Sequence, residues 1–564
     1  MLDPGSSPLA TSADTTTTAG SLAARPTLAA AVDGAAARID PTAGDGYTIS
    51  VDSDGRAAVT AGSRAALNRL RTVIASSVEA TWDGVRTVAD SPRIPVRSVH
   101  ECFYGERWSP EDRLAVMRFA AAFGANAYVY GPSADRRTGG LWREPYQGTE
   151  RDQLAGFARQ ARREGVEPIW RISPAAPLEP ELAIRMTDPA DAATLVAKVQ
   201  HVLELGFERI LIAFDDLTAG LDAEAAARFA DADHPLAAAH ASAIRSLGET
   251  VGHDRLIACP LHYWGDDPSP YRREFGRGFA SEVPVVWTGP AVISDAITAG
   301  QTRAVAEELG HPLWLWDNYP VNDWDLDGIA ALALHARPGL DNLVTPRRLP
   351  LAASTGRDPE LADVVVAMGG NLALDPYTGL PAALTLLDFA WSGAGYRPDA
   401  SWRAAVELIG ADPEALALLA DAAGPGSGVP SGRPSAFATA CARVFVAEDP
   451  FSDDVTAELD AVVHRHVEAL GRLRARPSRL TRELQPWLVE LGRQCQFALL
   501  AIATLRATTG EKADLAAELG GALSRRSQVA VGSGMGRALA EYARGLVAGG
   551  VPQVDVPDRE SFGH

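Results

Sequence analysis

The chain has 564 residues, of which 46% are hydrophobic and 22% are charged, a composition that excludes fibrous and wholly disordered proteins and allows a large buried core. The 72 Asp and Glu outnumber the 52 Lys and Arg and give a net charge of −20, so the chain repels nucleic acid and anionic membrane surfaces. A neutral substrate fits this charge better. At roughly 150 residues per domain, the length predicts about three or four domain-sized units.

The N-terminal end is rich in Ser, Thr and Ala over residues 1–24 and lacks a basic start followed by an apolar run, which argues against a signal peptide. We expect residues 1–30 to be disordered and the protein to be cytoplasmic; secretion would require that the given N-terminus is incomplete. The longest apolar run, Phe497–Leu505, is about half of the roughly 20 residues that cross a bilayer. We therefore expect no membrane span and no membrane partner.

A small α/β domain is predicted over residues 31–95. Apolar and polar residues alternate in two short segments separated by a turn, which predicts a hairpin, and a segment of helical spacing follows. These three segments are Tyr47–Val51, Ala57–Thr60 and Ser63–Ser77. The proline-rich run Ser91–Pro95 is typical of a linker and ends the domain.

From Val96 onward, short apolar strands alternate with helix-length segments such as Ala223–Leu247, which predicts repeated βα units and a parallel sheet. The eight candidate strands are Ser98–Tyr104, Ala127–Gly131, Pro168–Ser173, Arg209–Phe214, Leu256–Pro260, Val285–Thr288, Leu313–Asp317 and Asn342–Thr345. Eight such units over about 250 residues predict an α/β fold with a (β/α)8 TIM barrel, whose active site lies at the carboxyl ends of the strands. We place this catalytic barrel at residues 96–378.

The rest of the chain is helical in period, apart from a Gly- and Pro-rich linker or loop around residues 424–432. The long helical segments are Val455–Leu473, Leu480–Ala507 and Ala513–Leu546. We predict a C-terminal helical bundle over residues 379–550 and a loose tail over residues 551–564.

Two adjacent carboxylates follow the fourth candidate strand, where Ile210–Phe214 ends in Asp215 and Asp216. An acidic doublet alone is weak evidence, because aspartates are common in caps and turns. At the end of an apolar strand, however, the two charges repel, and such a pair tends to divide into one ionised group and one that holds its proton. A glycosidase needs this division, since one carboxyl must protonate the leaving oxygen while another stays negative near the developing cation.

Aromatic and polar residues follow several other strands in the pattern of a sugar-binding pocket, in which aromatic faces pack on the sugar and Asp or Asn side chains bind its hydroxyls. Barrel-core packing is an equally good interpretation of any single aromatic in these runs. The richest runs are Cys102-Phe103-Tyr104-Gly105, Tyr263-Trp264-Gly265, Trp287-Thr288-Gly289-Pro290 and Trp316-Asp317-Asn318-Tyr319-Pro320-Val321-Asn322-Asp323.

Together with Trp108-Ser109 and Phe214-Asp215-Asp216, these runs resemble glycoside hydrolase family 84, the bacterial and animal O-GlcNAcase-type β-N-acetylglucosaminidases. The resemblance extends from about Tyr47 to Trp402. It implies a retaining β-N-acetylglucosaminidase or close hexosaminidase with substrate-assisted catalysis, in which the acetamido group of the substrate attacks the anomeric carbon and forms an oxazoline. The implied partner is an N-acetylated amino-sugar glycoside or glycoconjugate.

The resemblance also assigns roles to individual residues. Asp215 would orient and polarise the acetamide nitrogen, and Asp216 would act as general acid and then as general base. The implied substrate-binding residues are Cys259, Tyr263, Trp316 and Asn318 around the acetamide, Asp323 at the outer hydroxyls of the sugar, and Asn371 as a further sugar-binding asparagine.

The chain departs from the family pattern on the sugar-binding side. Ser133, in Tyr130-Gly131-Pro132-Ser133, stands where the family has a substrate-contacting lysine after Tyr-Ala-Pro. Cys102 stands where the family has the glycine before Phe-Tyr-Gly, and its side chain would reach toward the sugar or distort a sugar-binding carbonyl. We therefore list Cys102 and Ser133 among the substrate-facing residues, and Leu261-His262 replaces the usual Thr-Glu.

No group of acidic residues or histidines has the spacing of a known metal-binding loop, so we expect no metal and no cofactor. Two alternatives stay open. One is an intracellular relative that acts on a different N-acylated amino-sugar conjugate in a biosynthetic pathway, and the other is a non-catalytic barrel that binds N-acetyl sugars or a protein partner. The oligomeric state is open as well.

Overall fold

The computed structural model describes residues 37–52, 57–76, 86–217, 220–323, 349–423, 435–447, 449, 452–507, 511–523 and 535–547. These residues divide between two compact units. The first lies within Met1–Val321, Gly356–Pro376 and Ala383–Ala404, and the second lies within Asn322–Thr355, Tyr377–Ala382 and Ala405–His564. The segments predicted to be a disordered start and a loose tail, residues 1–30 and 551–564, lie outside the described residues.

A four-stranded sheet precedes the barrel in the first unit. Its strands are β1 (Ala37–Ile39), β2 (Tyr47–Val51), β3 (Ala57–Ala61) and β4 (Arg86–Asp90), in the order β1-β3-β2-β4, and helix α1 (Arg64–Ser76) follows β3. Strands β2 and β3 are antiparallel, so the predicted hairpin is confirmed. Apolar side chains at alternate positions of both strands pack against α1 and Trp391, because one face of the sheet is buried.

Eight parallel strands close into a barrel, as predicted. They are β5 (Val96–Glu101), β6 (Ala127–Tyr130), β7 (Glu167–Ile172), β8 (Arg209–Ala213), β9 (Leu256–Cys259), β10 (Val285–Trp287), β11 (Leu313–Asp317) and β12 (Val365–Asn371), and β12 pairs with β5. The helices between and after these strands are α2 (Pro110–Ala122), α3 (Gly148–Arg163), α4 (Pro189–Glu204), α5 (Ala223–Arg228), α6 (Pro235–Val251), α7 (Pro270–Arg277), α8 (Ala299–Leu309), α9 (Leu380–Ser392) and α10 (Pro398–Leu408).

The eighth strand differs from the prediction. Residues 342–345 lie outside the described residues, and β12 fills the eighth place in the barrel. Its Gly369 is required by packing, since a Cβ at this position would collide with Ser98 and His100 of the neighbouring strand β5. The single helix predicted over Ala223–Leu247 is also wrong, because the segment contains two helices, α5 and α6.

Side chains that point into the barrel form one apolar cluster, to which Val129, Ile169, Leu211, Ile257 and Trp314 contribute from successive strands. Because side chains alternate along a strand, a residue two positions beyond one of these points into the lumen as well. The lumen of the barrel therefore continues toward the carboxyl ends of the strands, where polar side chains replace apolar ones.

The second unit is helical among the residues that are described. Its helices are α11 (Pro413–Ala423), α12 (Ala436–Val446), α13 (Asp453–Arg474), α14 (Arg479–Glu483), α15 (Gln485–Arg506), α16 (Lys512–Leu523) and α17 (Met535–Val547). Helix α15 is long and apolar enough to cross a membrane, but 61% of its most apolar window is buried inside the protein. Core helices of soluble proteins pass the same test, so this helix is weak evidence for a membrane span.

Candidate active site

Asp215 and Asp216 follow strand β8, whose last four residues are buried. The backbone of Asp216 is left-handed, with φ of +57°, which is unusual for a residue other than glycine and is strained. At this turn the two consecutive carboxylates have different partners: Asp215 binds an arginine of the neighbouring strand β7, whereas Asp216 binds two tyrosines. Strained backbone of this kind is concentrated at functional sites.

The Asp215 carboxylate forms an ion pair with Arg171. The guanidinium Nη2 donates to both carboxylate oxygens, at 2.7 Å from Oδ1 and 2.8 Å from Oδ2. The side chain of Arg171 is 13% exposed and that of Asp215 is 18% exposed, so the pair is largely buried. Charge-assisted bonds of this length favour the ionised form of a carboxyl group.

The Asp216 carboxyl accepts a hydrogen bond on each oxygen, from Tyr104 Oη at 2.8 Å and from Tyr263 Oη at 2.9 Å. Desolvation by the surrounding protein raises the pKa of Asp216, the charge of Asp215 raises it further, and the two phenol hydrogen bonds act in the opposite direction. The residue as a whole is exposed, so a substrate can reach it. The two aspartates therefore differ in the way that acid–base chemistry requires.

The two phenols remain neutral donors. Desolvation raises the pKa of Tyr104 and of Tyr263, and the charge of the nearby Asp216 raises both further. A neutral phenol can hold the carboxyl in place in either of its protonation states.

The four residues predicted to form the acetamide pocket lie together with Cys102. Cys259 and Trp316 belong to the apolar cluster of the lumen, and Cys102 and Tyr263 pack against it half-buried. Burial raises the pKa of both thiols, so they are neutral groups at physiological pH. The fourth residue, Asn318, contacts this group because it accepts a hydrogen bond from the indole of Trp316.

Asn318 connects two other predicted residues. Its Oδ1 accepts from Trp316 Nε1 at 3.0 Å and from Asn371 Nδ2 at 3.1 Å, while its Nδ2 donates to the carbonyl of Val292 at 2.9 Å. Asn371 is 7% exposed, and its Oδ1 has no hydrogen-bond partner among the described residues. A buried acceptor without a partner is costly, so this oxygen is available to a ligand hydroxyl.

Ser133 holds the loop that carries Tyr104. Its Oγ donates to the carbonyl of Phe103 at 3.1 Å and accepts from the amide of Gly105 at 3.3 Å. This hydroxyl therefore fixes the backbone on both sides of a phenol that binds Asp216. Asp323 is described and is 5% exposed, and its role in binding the sugar stays a prediction.

Two features of the site were not predicted from the sequence: the presence of Arg171 and the function of Tyr104. A charged residue inside the apolar segment Ile169–Ile172 was the available signal, because alternation along the strand points Arg171 and Ile169 into the same lumen. Tyr104 was noted only as part of a motif. The distant partners of both side chains became visible only in three dimensions.

Cleavage of a glycosidic bond needs one ionised carboxylate beside one carboxyl that can give a proton, and the end of strand β8 carries two carboxylates with these different environments. Together with the closed (β/α)8 barrel, this pair defines the class of protein as glycoside hydrolase. A family model described as beta-N-acetylglucosaminidase matches residues 97–421, more than half of the chain. The chain belongs to this family, the O-GlcNAcase-type enzymes of glycoside hydrolase family 84.

Two curated relatives, Protein O-GlcNAcase of Rattus norvegicus and of Mus musculus, are each 30% identical over 233 residues. The alignment covers 40% of this chain and 24% of the length of each relative. Among solved structures, an aspartate-to-asparagine mutant of Thermobaculum terrenum O-GlcNAc hydrolase superposes with a TM-score of 0.71 at 24% identity, over 81% of this chain and 96% of that one. A structure titled CpGH84B gives a TM-score of 0.69 at 20% identity, over 88% and 86% of the two chains. These superpositions support the fold.

Proposed function

We propose that the chain is a retaining β-N-acetylglucosaminidase that uses the acetamido group of its substrate as the nucleophile. The observation that carries this proposal is the division of labour between the two aspartates: Asp215 is paired with a guanidinium, and the pKa of Asp216 is raised. The family to which the chain belongs supplies the substrate class, an N-acetylglucosamine glycoconjugate.

In the first step, the acetamide oxygen of the substrate attacks the anomeric carbon, and the bond to the glycosidic oxygen breaks. Asp216, in its protonated form, gives its proton to that leaving oxygen. Asp215, as a carboxylate, accepts the acetamide N–H and stabilises the positive charge that develops on the forming oxazolinium ring. The products of this step are the free alcohol and an oxazolinium ion, whose N–H stays hydrogen-bonded to the Asp215 carboxylate.

In the second step, water opens the oxazolinium ring. Asp216, now a carboxylate, removes a proton from the water as it attacks the anomeric carbon, and the acetamide is restored. Two displacements at the same carbon retain its configuration. The group that acted as acid in the first step is thus returned to its protonated form.

The pocket residues would bind the substrate around these two groups. Tyr263, Cys259 and Trp316 surround the proposed acetamide position, and the free Oδ1 of Asn371 accepts a hydrogen bond from a sugar hydroxyl. Asn318 keeps Trp316 and Asn371 in place. We propose Asp323 as a further acceptor for the outer hydroxyls of the sugar.

The altered sugar-binding side favours a second candidate, action on a different N-acylated amino-sugar conjugate. The specific observation is that Ser133 is engaged with the backbone on both sides of Tyr104. A buried polar group left unpaired by the wrong sugar discriminates strongly between substrates. Turnover of a plain N-acetylglucosaminide at ordinary efficiency would count against this candidate.

The test compares two substrates in three proteins. An aryl β-N-acetylglucosaminide with a very good leaving group needs no protonation of the leaving oxygen, whereas an alkyl glycoside does. Asp216→Ala should therefore lose far more activity on the alkyl glycoside, while Asp215→Ala should lose activity on both, because the developing charge is common to both reactions.

The exposed Asp152 of helix α3 offers a matched control, since Asp152→Ala removes an aspartate remote from this site. No turnover of either substrate by the unaltered protein would contradict the proposal. Tight binding of an oxazoline mimic without hydrolysis of any glycoside would instead support a sugar-binding barrel.

A further inference from the structure

Arg171 is a cation in the lumen of the barrel that takes part in neither proton transfer of the proposed mechanism. It lies near the carboxyl end of β7 and contacts Asp215, which follows the neighbouring strand β8. Only its Nη2 forms a hydrogen bond to another described residue. The remaining N–H groups are not among the buried polar atoms that lack a partner, so they are open to the pocket.

The sequence around Gly131 makes room for this arginine. A Cβ at Gly131 would lie 2.6 Å from the Cβ of Arg171 and 3.2 Å from its Cγ and Cδ, which is closer than side-chain atoms approach. Gly131 belongs to the same Tyr130-Gly131-Pro132-Ser133 run in which a serine stands where the resembled family has its lysine. The chain therefore lacks the lysine that the family has after β6, but it has an arginine, Arg171, on the adjacent strand β7.

We propose that Arg171 is a positioning residue that holds the Asp215 carboxylate in its orientation, and that it is the pocket cation of this chain. The inference rests on the proposed function, because it assigns a role within the same site. The other titratable groups that face Asp215 are Asp216, the thiols of Cys102 and Cys259, and the phenols of Tyr104 and Tyr263. The phenols and thiols are neutral, so Arg171 is the positive charge opposite the two aspartates among these groups.

Removal of Arg171 would leave two adjacent carboxylates without a cation. Such a pair shares one proton, and ionisation of the second carboxyl requires a higher pH. The charge of Arg171 lowers the pKa of Asp216. Arg171→Met should therefore raise that pKa and move the basic limb of the pH profile of kcat/KM for an alkyl glycoside upward, since Asp216 must carry a proton in the first step.

The strands offer a matched control. Arg209 and Glu167, the first residues of β8 and β7, form another arginine–carboxylate pair between the same two strands at their opposite ends. Arg209→Met should leave the basic limb in place, and Arg171→Lys should keep the basic limb close to that of the unaltered protein because the positive charge is retained. If Arg171→Met lowers kcat without moving the basic limb, the contact is merely structural and the proposal is overturned.

A second measurement does not depend on turnover. Carboxyl carbon-13 signals of labelled aspartate, assigned by the signal that Asp216→Asn removes, follow the ionisation of Asp216 directly. Its titration should move to higher pH in Arg171→Met and stay in place in Arg209→Met. If the unaltered protein hydrolyses no glucosaminide but this shift is observed, the proposed function fails and the role of Arg171 stands. If the titration does not move, the role of Arg171 fails whether or not the enzyme is active.

Discussion

Replacement of Tyr104 by phenylalanine removes one of the two phenol donors of Asp216 and leaves the other, Tyr263, in place. A hydrogen bond to a charged acceptor contributes about 1.5–3 kcal/mol, against about 1 kcal/mol for a neutral one. The difference between these two values is the free energy by which the phenol hydrogen bond favours the ionised form of Asp216 over the protonated form. At 1.36 kcal/mol per pKa unit, it corresponds to roughly one unit.

Solvent screening reduces this effect, because Asp216 is exposed at the mouth of the site. We therefore expect Tyr104→Phe to raise the pKa of Asp216 by roughly half a unit to one unit. Since Asp216 must carry a proton in the first step, the basic limb of the pH profile of kcat/KM should move upward by the same amount. The assay is hydrolysis of an alkyl β-N-acetylglucosaminide from acid to alkaline pH, because its leaving oxygen needs the proton of Asp216.

Tyr128→Phe is the matched control for this experiment. Tyr128 is also a buried phenol that donates to a carboxylate, at 2.8 Å from Glu101 Oε2, but Glu101 is held by Arg113 and does not contact Asp216 in the described structure. The control should lower stability without moving the basic limb. A basic limb that stays in place or moves downward in Tyr104→Phe would refute the assignment of Asp216 as the general acid.

Three further predictions concern stability. Below about pH 4, Asp216→Asn should have the same free energy of unfolding as the unaltered protein. As pH rises, it should become the more stable of the two, because the raised pKa of Asp216 means that ionisation of this group destabilises the folded state. Urea unfolding across pH measures the difference. Arg357→Met should destabilise by about 3–5 kcal/mol in urea unfolding, because it leaves the buried Asp317 without the guanidinium that binds both of its oxygens at 2.7 Å. Gly131→Ala should cost about 1–3 kcal/mol by overpacking against Arg171, whereas Gly300→Ala, where a Cβ meets nothing within 4 Å, should not destabilise.

Apolar strands bounded by turn residues could be located from the sequence because burial on both faces leaves near-continuous apolar runs. Leu313–Asp317 has the predicted bounds, and six other predicted strands overlap the observed ones. The eighth could not be found in this way. Strand β12 contains Gly369 and Gly370, which are typical of loops, and Gly369 is explained by the close approach of Ser98 and His100 on a strand far away in the sequence.

The chemical identity of the site could be predicted, but its charge balance could not. Position after a buried strand singled out Asp215 and Asp216, since local patterns place residues at strand ends. The contacts that distinguish the two aspartates come from Arg171, Tyr104 and Tyr263, which are brought together by closure of the barrel. Ser133 illustrates the same limit, because its two backbone partners depend on the path of the neighbouring loop.

The anomeric configuration of the first-formed product tests the central proposal most directly. Proton NMR during early turnover of an aryl β-N-acetylglucosaminide separates the two anomers before they equilibrate in water. The account predicts that the β anomer appears first, and that substrates with fluorinated N-acetyl groups react progressively more slowly, because fluorine withdraws electrons from the attacking oxygen. First appearance of the α anomer, or rates that do not depend on the fluorine content, would contradict it.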